Sequence, residues 1–204
     1  MPDAYFSLPR SLKPAVFFDK HLAALPLRLP AISLADRVVY HVQGVGAWSV
    51  ALVDGRLDVQ SGVVGPIGLQ ISATEAHFRE AVTGALRERQ IEVLKRQRLP
   101  VEVPDLRHVR VDPARLRAAI AVGGSLAIVI HDREYDDRYR YVLTIGPGPA
   151  AFAQATTTIE VDADDLLTLA AARTPPMSVL VSGKLRLAGD IGLPGRLLTA
   201  LLGG

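Results

Sequence analysis

The sequence predicts a mixed fold, α/β in the broad sense (α+β), and three observations predict it. Apolar and polar residues alternate through "VVYHVQG" (38–44) and "WSVALVDGRLDVQSG" (48–62), the second run folding back at Asp54-Gly55. Both central residues of a type I′ turn need positive φ, so an Asp-Gly step between alternating runs signals a β-hairpin. A second hairpin reads from "SLAIVIHD" (125–132) and "RYRYVLTIG" (138–146) across an acidic tip. Finally, a strand that runs directly into a capped amphipathic helix occurs twice, in "GLQISATEAHFREAV" (68–82) and "TTIEVDADDLLTLAA" (157–171).

Residues 1–34 read as a leader of short helical or irregular pieces, because Pro9, Pro14, Pro26 and Pro30 forbid a long helix. Its apolar stretch at Ala15–Phe18, with Leu22, Leu25 and Leu27, is expected to pack on the body or on a partner. The first hairpin follows, then a strand at 67–71. Ser72 is expected to cap the next helix, with Glu75 closing a capping box three residues on. Phe78, Val82 and Leu86 fall on one helical stripe, the core-facing side. The continuation to Arg98 is charged, and "LPVEVPDL" (99–106) is a connector. Asp112 as cap, Pro113 at the first helical position and Gly123-Gly124 beyond the end punctuate a third helix. After the second hairpin and the strand at 156–161, Asp162 caps a helix with Asp164 and Asp165 in its first turn. "SVLVSGKLRLAGD" (178–190) is a strand, and a leucine-rich helix with Arg196 as its one charge ends the chain.

The 204 residues fit one large domain or two small ones. A formal charge of +2 is too small to argue for nucleic acid, and 5% aromatic residues leave little for base stacking. The absence of cysteine removes disulfides, thiol nucleophiles and Cys-based metal centres. No signal peptide is read at the N-terminus, and the apolar run 118–130 is short of the ~20 residues that span a bilayer. A cytoplasmic protein is expected.

The segment "IEVDADDLLTLAAARTPPMSVLVSGKLRLAGDIGLPGRLLTALL" (159–202) resembles the sterol carrier protein type-2 family of lipid-binding domains. The resemblance rests on Ser182, Gly183, Lys184, Leu185, Leu187, Gly189 and Asp190 ahead of an apolar last helix. "GAWSVALVDGRLDVQSG" (46–62) is similar to the family's first hairpin, with its Trp and its Asp-Gly turn. The resemblance implies a twisted, mostly antiparallel sheet backed by helices, with an apolar tunnel between the layers. The chain is about twice the length of one such domain, and its first half lacks the Ser-Gly-Lys-Leu strand. The reading adopted is a leader (1–34), a degenerate sterol-carrier-like half (35–104) and a sterol-carrier-like domain (105–204), two related halves in one chain.

Read this way, the protein is a non-enzymatic carrier that holds a fatty acyl, sterol or isoprenoid molecule, with no cofactor and no metal. The leucines of the last helix (Leu193, Leu197, Leu198, Leu201) present an apolar face that must be covered. They are expected to line the cavity together with Leu166, Leu169, Val179, Leu185 and Leu187. Each buried methylene contributes about 0.8 kcal/mol, so about ten of them give ~8 kcal/mol before ordering costs. A structural or interaction module with a filled core is the alternative. So is an accessory subunit that presents lipid or quinone substrates to an enzyme, and a homodimer or enzyme partner stays open. Glu88 and Glu92 dilute the basic end of "RERQIEVLKRQR" (87–98), which reads as a solvated face, with a transient contact to a membrane surface left open. His131, Asp132, Glu134, Asp136 and Asp137 read as a solvated hairpin tip paired with neighbouring arginines, not as a metal site. "VSGKLRLAG" lacks both the first glycine and the hydroxyl residue of a P-loop. No nucleophile, base and electrophile can be assembled.

Overall fold

In the computed structural model, residues 8–25, 30, 32–96, 112–170 and 182–202 are described. Eight strands form one mixed sheet: β1 (Arg37–Gln43), β2 (Gly46–Val53), β3 (Arg56–Ser61), β4 (Ile67–Thr74), β5 (Ser125–Asp132), β6 (Asp137–Ile145), β7 (Thr157–Asp162) and β8 (Leu185–Gly189). Their order across the sheet is β3-β2-β1-β4-β6-β5-β7-β8. The pairs β1–β4 and β5–β7 are parallel and the others antiparallel. Among the described residues, five helices of eight residues or more accompany it: α1 (Glu75–Val82), α2 (Ala85–Arg96), α3 (Pro113–Val122), α4 (Ala163–Ala170) and α5 (Leu193–Leu202). The leader contributes helical turns over Pro14–Val16, Phe17–His21 and Leu22–Ala24.

Local chemistry accounts for most boundaries. Asp54 and Gly55 take φ of 48° and 76°, the conformation that a type I′ turn demands. Asp112 accepts from the amides of Ala114 and Arg115, and Pro113 opens α3 where its missing N–H costs nothing. Asp162 Oδ1 accepts from Asp164 N at 3.1 Å as α4 begins. The cap expected at Ser72 is corrected. Pairing with β1 carries β4 on to Thr74, so Ser72 is buried within the strand. Thr74 is the cap instead, its hydroxyl accepting from His77 N at 3.2 Å.

The strand-to-helix units that contain α1 and α4 correspond in register as well as in pattern. An offset of 88 residues carries Glu75 and Val82, the bounds of α1, onto Ala163 and Ala170, the bounds of α4. The same offset carries the parallel pairs Tyr40↔Ile71 and Val42↔Ala73 onto Ile128↔Ile159 and Ile130↔Val161. One strand differs. Beside β7 stands β8, whereas the equivalent place beside β4 is held by β6 from the other half, with Ile71 opposite Leu143. The sheet is therefore continuous across the chain, and the segment around residue 104 lies outside the described residues.

Strand alternation sends one set of side chains to each face. One face is apolar from edge to edge, from Val59 and Trp48 through Tyr40, Ile71, Leu143 and Ile128 to Ile159 and Leu187. The leader, α1, α2 and α4 cover this face through two clusters. In the first, Phe17, Phe18 and Phe78 pack on Val42 and Trp48; in the second, Leu86 and Ala163 pack on Ile130, Tyr139 and Val161. The opposite face carries the buried Val39, Val129 and Val142 beside small and polar side chains, under the loop that follows β6. There Gln70 Nε2 donates to Gly148 O at 2.6 Å, and the Phe152 ring meets His41 edge-on.

Candidate functional site

The half of the apolar face formed by β4 to β8 is unevenly covered. At one end Ile130, Tyr139 and Val161 are buried beneath Leu86 of α2 and Ala163 of α4. Leu166 of α4, with Ala81, Ile128, Tyr141 and Leu185, packs around them and is partly buried. Away from that end, Leu69, Leu126, Leu143, Ile145, Ile159 and Leu187 stay only half-buried. Leu143 and Leu126 belong to interior strands of the sheet, where close packing normally shuts out water, while Leu187 stands on the edge strand β8. The layer above them covers them only in part.

In the first half of the same face Val42, Trp48 and Val50 are buried, while Tyr40 and Ile71 are half-buried. Phe18 is 1% exposed. Its ring stacks on Trp48 at 4.7 Å between centroids and tilts against Tyr40 at 5.2 Å and Phe78 at 5.4 Å. Trp48 Nε1 donates to Asp19 Oδ1 at 3.0 Å, which ties the leader to β2.

The residues expected to line a cavity separate into groups. Leu185 and Leu187 point to the apolar face from β8, and Leu166 reaches it from α4. The side chain of Leu169 and the whole of Val179 lie outside the described residues. The last helix differs from expectation: α5 packs on α3, not on the sheet. Leu193 is buried against Gly124 and Leu197 is half-buried, while Leu198 and Leu201 are 41% and 47% exposed. Asp190 sets this placement. Its backbone N–H donates to Thr156 O at 2.9 Å, its Oδ1 accepts from Gly192 N at 3.0 Å, and its Oδ2 accepts from Arg196 at 2.6 Å. Sequence reasoning missed the central strand residues Leu126, Leu143 and Ile159. Alternation marks them as inward-facing, but nothing in a single sequence says how well an inward face is covered.

A charged cleft of about 460 Å³ lies at the β5–β7–β8 edge, lined by His131, Arg133, Glu160, Asp162, Asp165, Lys184 and Arg186 among others. Its charges pair among themselves: Arg133 with Asp162 at 2.9 Å, Lys184 with Asp165 at 2.6 Å, and His131 and Arg138 with Glu160 at 3.6 and 3.2 Å. Glu134 of the acidic tip is taken by Arg89. Lys184 thus makes an ion pair with Asp165. Among the described residues no group of three or more His, Asp or Glu side chains is arranged to hold a metal ion. None of the described helices is long and apolar enough to cross a membrane.

Tyr139 and Tyr141 sit between the apolar face and α1. Tyr141 Oη donates to His77 O at 2.7 Å. Burial, followed for Tyr139 by the charge of Asp137 and for Tyr141 by that of Glu80, raises both phenols well above their ordinary value. They are neutral hydrogen-bonding groups, not bases.

Comparison with known proteins supplies the context. The model of the SCP-2 sterol transfer family matches residues 112–201. No curated protein matches the chain. Among solved structures, sterol carrier protein 2 like 2 from Aedes aegypti is 20% identical with a TM-score of 0.35, over 55% of this chain and 96% of that one. A conserved hypothetical protein from Thermus thermophilus, described as possibly a sterol carrier protein, is 25% identical with a TM-score of 0.35, over 44% of this chain and 70% of that one. An inverting sec-alkylsulfatase from Pseudomonas sp. is 15% identical with a TM-score of 0.30, over 44% of this chain and only 15% of that one. The C-terminal part of this chain, residues 112–201, is thus similar to the SCP-2 sterol transfer family.

Proposed function

We propose that the protein is a non-enzymatic carrier of a hydrocarbon-rich ligand, a fatty acyl, sterol or isoprenoid molecule. The ligand lies against the apolar face of β4 to β8 beneath α2 and α4. The observation that carries this reading is the half-buried state of Leu126, Leu143, Ile145 and Ile159 on the interior strands β5, β6 and β7. An apolar floor that its own chain covers incompletely offers a hydrocarbon tail the burial that drives its binding, about 25 cal/mol per Å². Leu166, Leu185 and Leu187 remain in the proposed lining, joined by these central strand residues, while the exposed Leu198 and Leu201 leave it. The match of residues 112–201 to a sterol transfer family model supports the ligand class. The chain is proposed to comprise two related halves, of which the second holds the ligand.

The test is organic extraction, with native mass spectrometry, of protein purified from a heterologous host. One lipid-class molecule per chain is expected. Leu143→Trp fills the proposed space and is expected to abolish uptake while leaving the circular dichroism and melting curve intact. An empty wild-type protein, with Leu143→Trp destabilised by about 1–3 kcal/mol through overpacking, would identify a filled core and end the carrier reading.

A further inference from the structure

The repeat poses a question that the second half alone does not. Two equivalent apolar seats should exist, one over β1–β2–β4 and one over β5–β6–β7. In the second half, Ile128 and Ile159 are half-buried. In the first half, their counterparts at an offset of 88, Tyr40 and Ile71, are half-buried as well, and the difference is that Phe18 is packed against Tyr40. Phe17 and Phe18 belong to neither strand nor helix of the repeated unit. They come from the leader, and they lie on Trp48 and Phe78, whose counterparts in the second half are Tyr141 by sheet position and Leu166 by offset. The same offset carries Phe17 and Phe18 themselves onto Asp105 and Leu106, and residues 97–111 contain no aromatic residue. The second half therefore has no aromatic pair of this kind in its sequence.

We propose that the N-terminal half retains a second hydrocarbon-binding seat and that Phe17 and Phe18 of the leader are its built-in occupant. The ligand class follows from the reading of the second half given above, since the two seats share one scaffold. Two rings bring the bulk and apolarity of a lipid segment, and they do so without the entropic cost of capturing a free molecule. The chain consequently carries one lipid, not two. The leader is held there by the Phe18–Trp48 stack and by the hydrogen bond that Trp48 donates to Asp19. The exposed Asp19 makes that tie accessible to water.

Trp48 is the single tryptophan of the chain, so its fluorescence reports this seat alone. Brominated stearic acid, which quenches tryptophan on contact, is titrated into the full-length wild type and into Phe18→Ala, with ligand counted by native mass spectrometry. Wild-type emission is expected to stay unchanged as its one site fills. Phe18→Ala is expected to bind one additional molecule and to lose more than half of its emission. Phe18→Leu keeps an apolar side chain in place but removes the ring stack, and serves where the alanine variant does not fold. It is expected to show the same quenching at higher ligand concentration. Folded variants that gain neither ligand nor quenching would overturn the proposal, as would wild-type emission quenched by the first equivalent. A wild type that binds no lipid would remove the carrier reading of the second half, while quenching in Phe18→Ala would still establish the first seat.

Discussion

Gly189 shows how one residue closes the second half. It ends β8 with φ of 82°, and a Cβ there would stand 2.3 Å from the carbonyl oxygen of Thr156. Backbone cannot yield as a flexible side chain does, so Gly189→Ala meets both a steric overlap and an unfavourable dihedral. It is expected to cost about 2–3 kcal/mol, which for a chain of this length lowers the Tm by about 5–10 °C. Calorimetry checks this, and a Tm within 1–2 °C of wild type (about 0.5 kcal/mol) would show that the strand end adapts. The same residue stands in the Ser-Gly-Lys-Leu pattern that sequence reading singled out, so its importance was legible while its reason was not. The buried phenols teach a related lesson. In the sequence Tyr139 and Tyr141 sit among arginines and acids, yet the register turns both toward the apolar face. A phenol whose pKa is raised on folding contributes stability below the unfolded value near 10, and that stability is lost as pH rises beyond it. Absorbance titration of the five tyrosines should therefore show two that ionise only together with alkaline unfolding.

Among the elements, the last helix departs furthest from its sequence reading. Its leucine stripe correctly marked an amphipathic helix, but an apolar stripe does not name its cover. Asp190 decides the matter by anchoring the start of α5 to β7 through Thr156 and Thr157 and by pairing with Arg196. The guanidinium of Arg196, with a smaller contribution from the Gly192 amide, holds the Asp190 carboxyl below its ordinary range. A lowered carboxylate pKa contributes stability above the unfolded value and loses it as pH falls through the folded one. Hydrogen exchange across 193–202 is expected to accelerate below about pH 4 relative to the central strands, and Asp190→Asn should remove that difference. Equal acid sensitivity in wild type and variant would show that the anchor lies elsewhere.

For the whole molecule, the deciding contact is β4 against β6. Because a strand of each half forms the seam, the sheet cannot separate without breaking a ladder of main-chain hydrogen bonds. Arg89 reinforces the seam. It rises from α2, its side chain 11% exposed, and donates to Asp164 of α4 at 2.9 and 3.2 Å while pairing with Glu134 at the hairpin tip. Arg89→Ala is expected to cost about 1–2 kcal/mol, since its partners are still wet. Denaturant unfolding should keep one cooperative transition with a lowered midpoint. Two separated transitions would mean that the halves fold independently.

The sequence by itself determined the local grammar: the Asp54-Gly55 hairpin, the Asp112 and Asp162 caps, the strand-to-helix repeat and its sterol-carrier resemblance. Each of these is decided within a few residues, by φ preferences, capping donors and side-chain alternation. Only the tertiary structure decided which strand pairs across the halves, that α5 lies on α3, and that Phe18 of the leader packs on Trp48 and Phe78. Those outcomes depend on contacts between residues far apart in the chain, where what matters is the volume left between layers, and periodicity carries no information about volume.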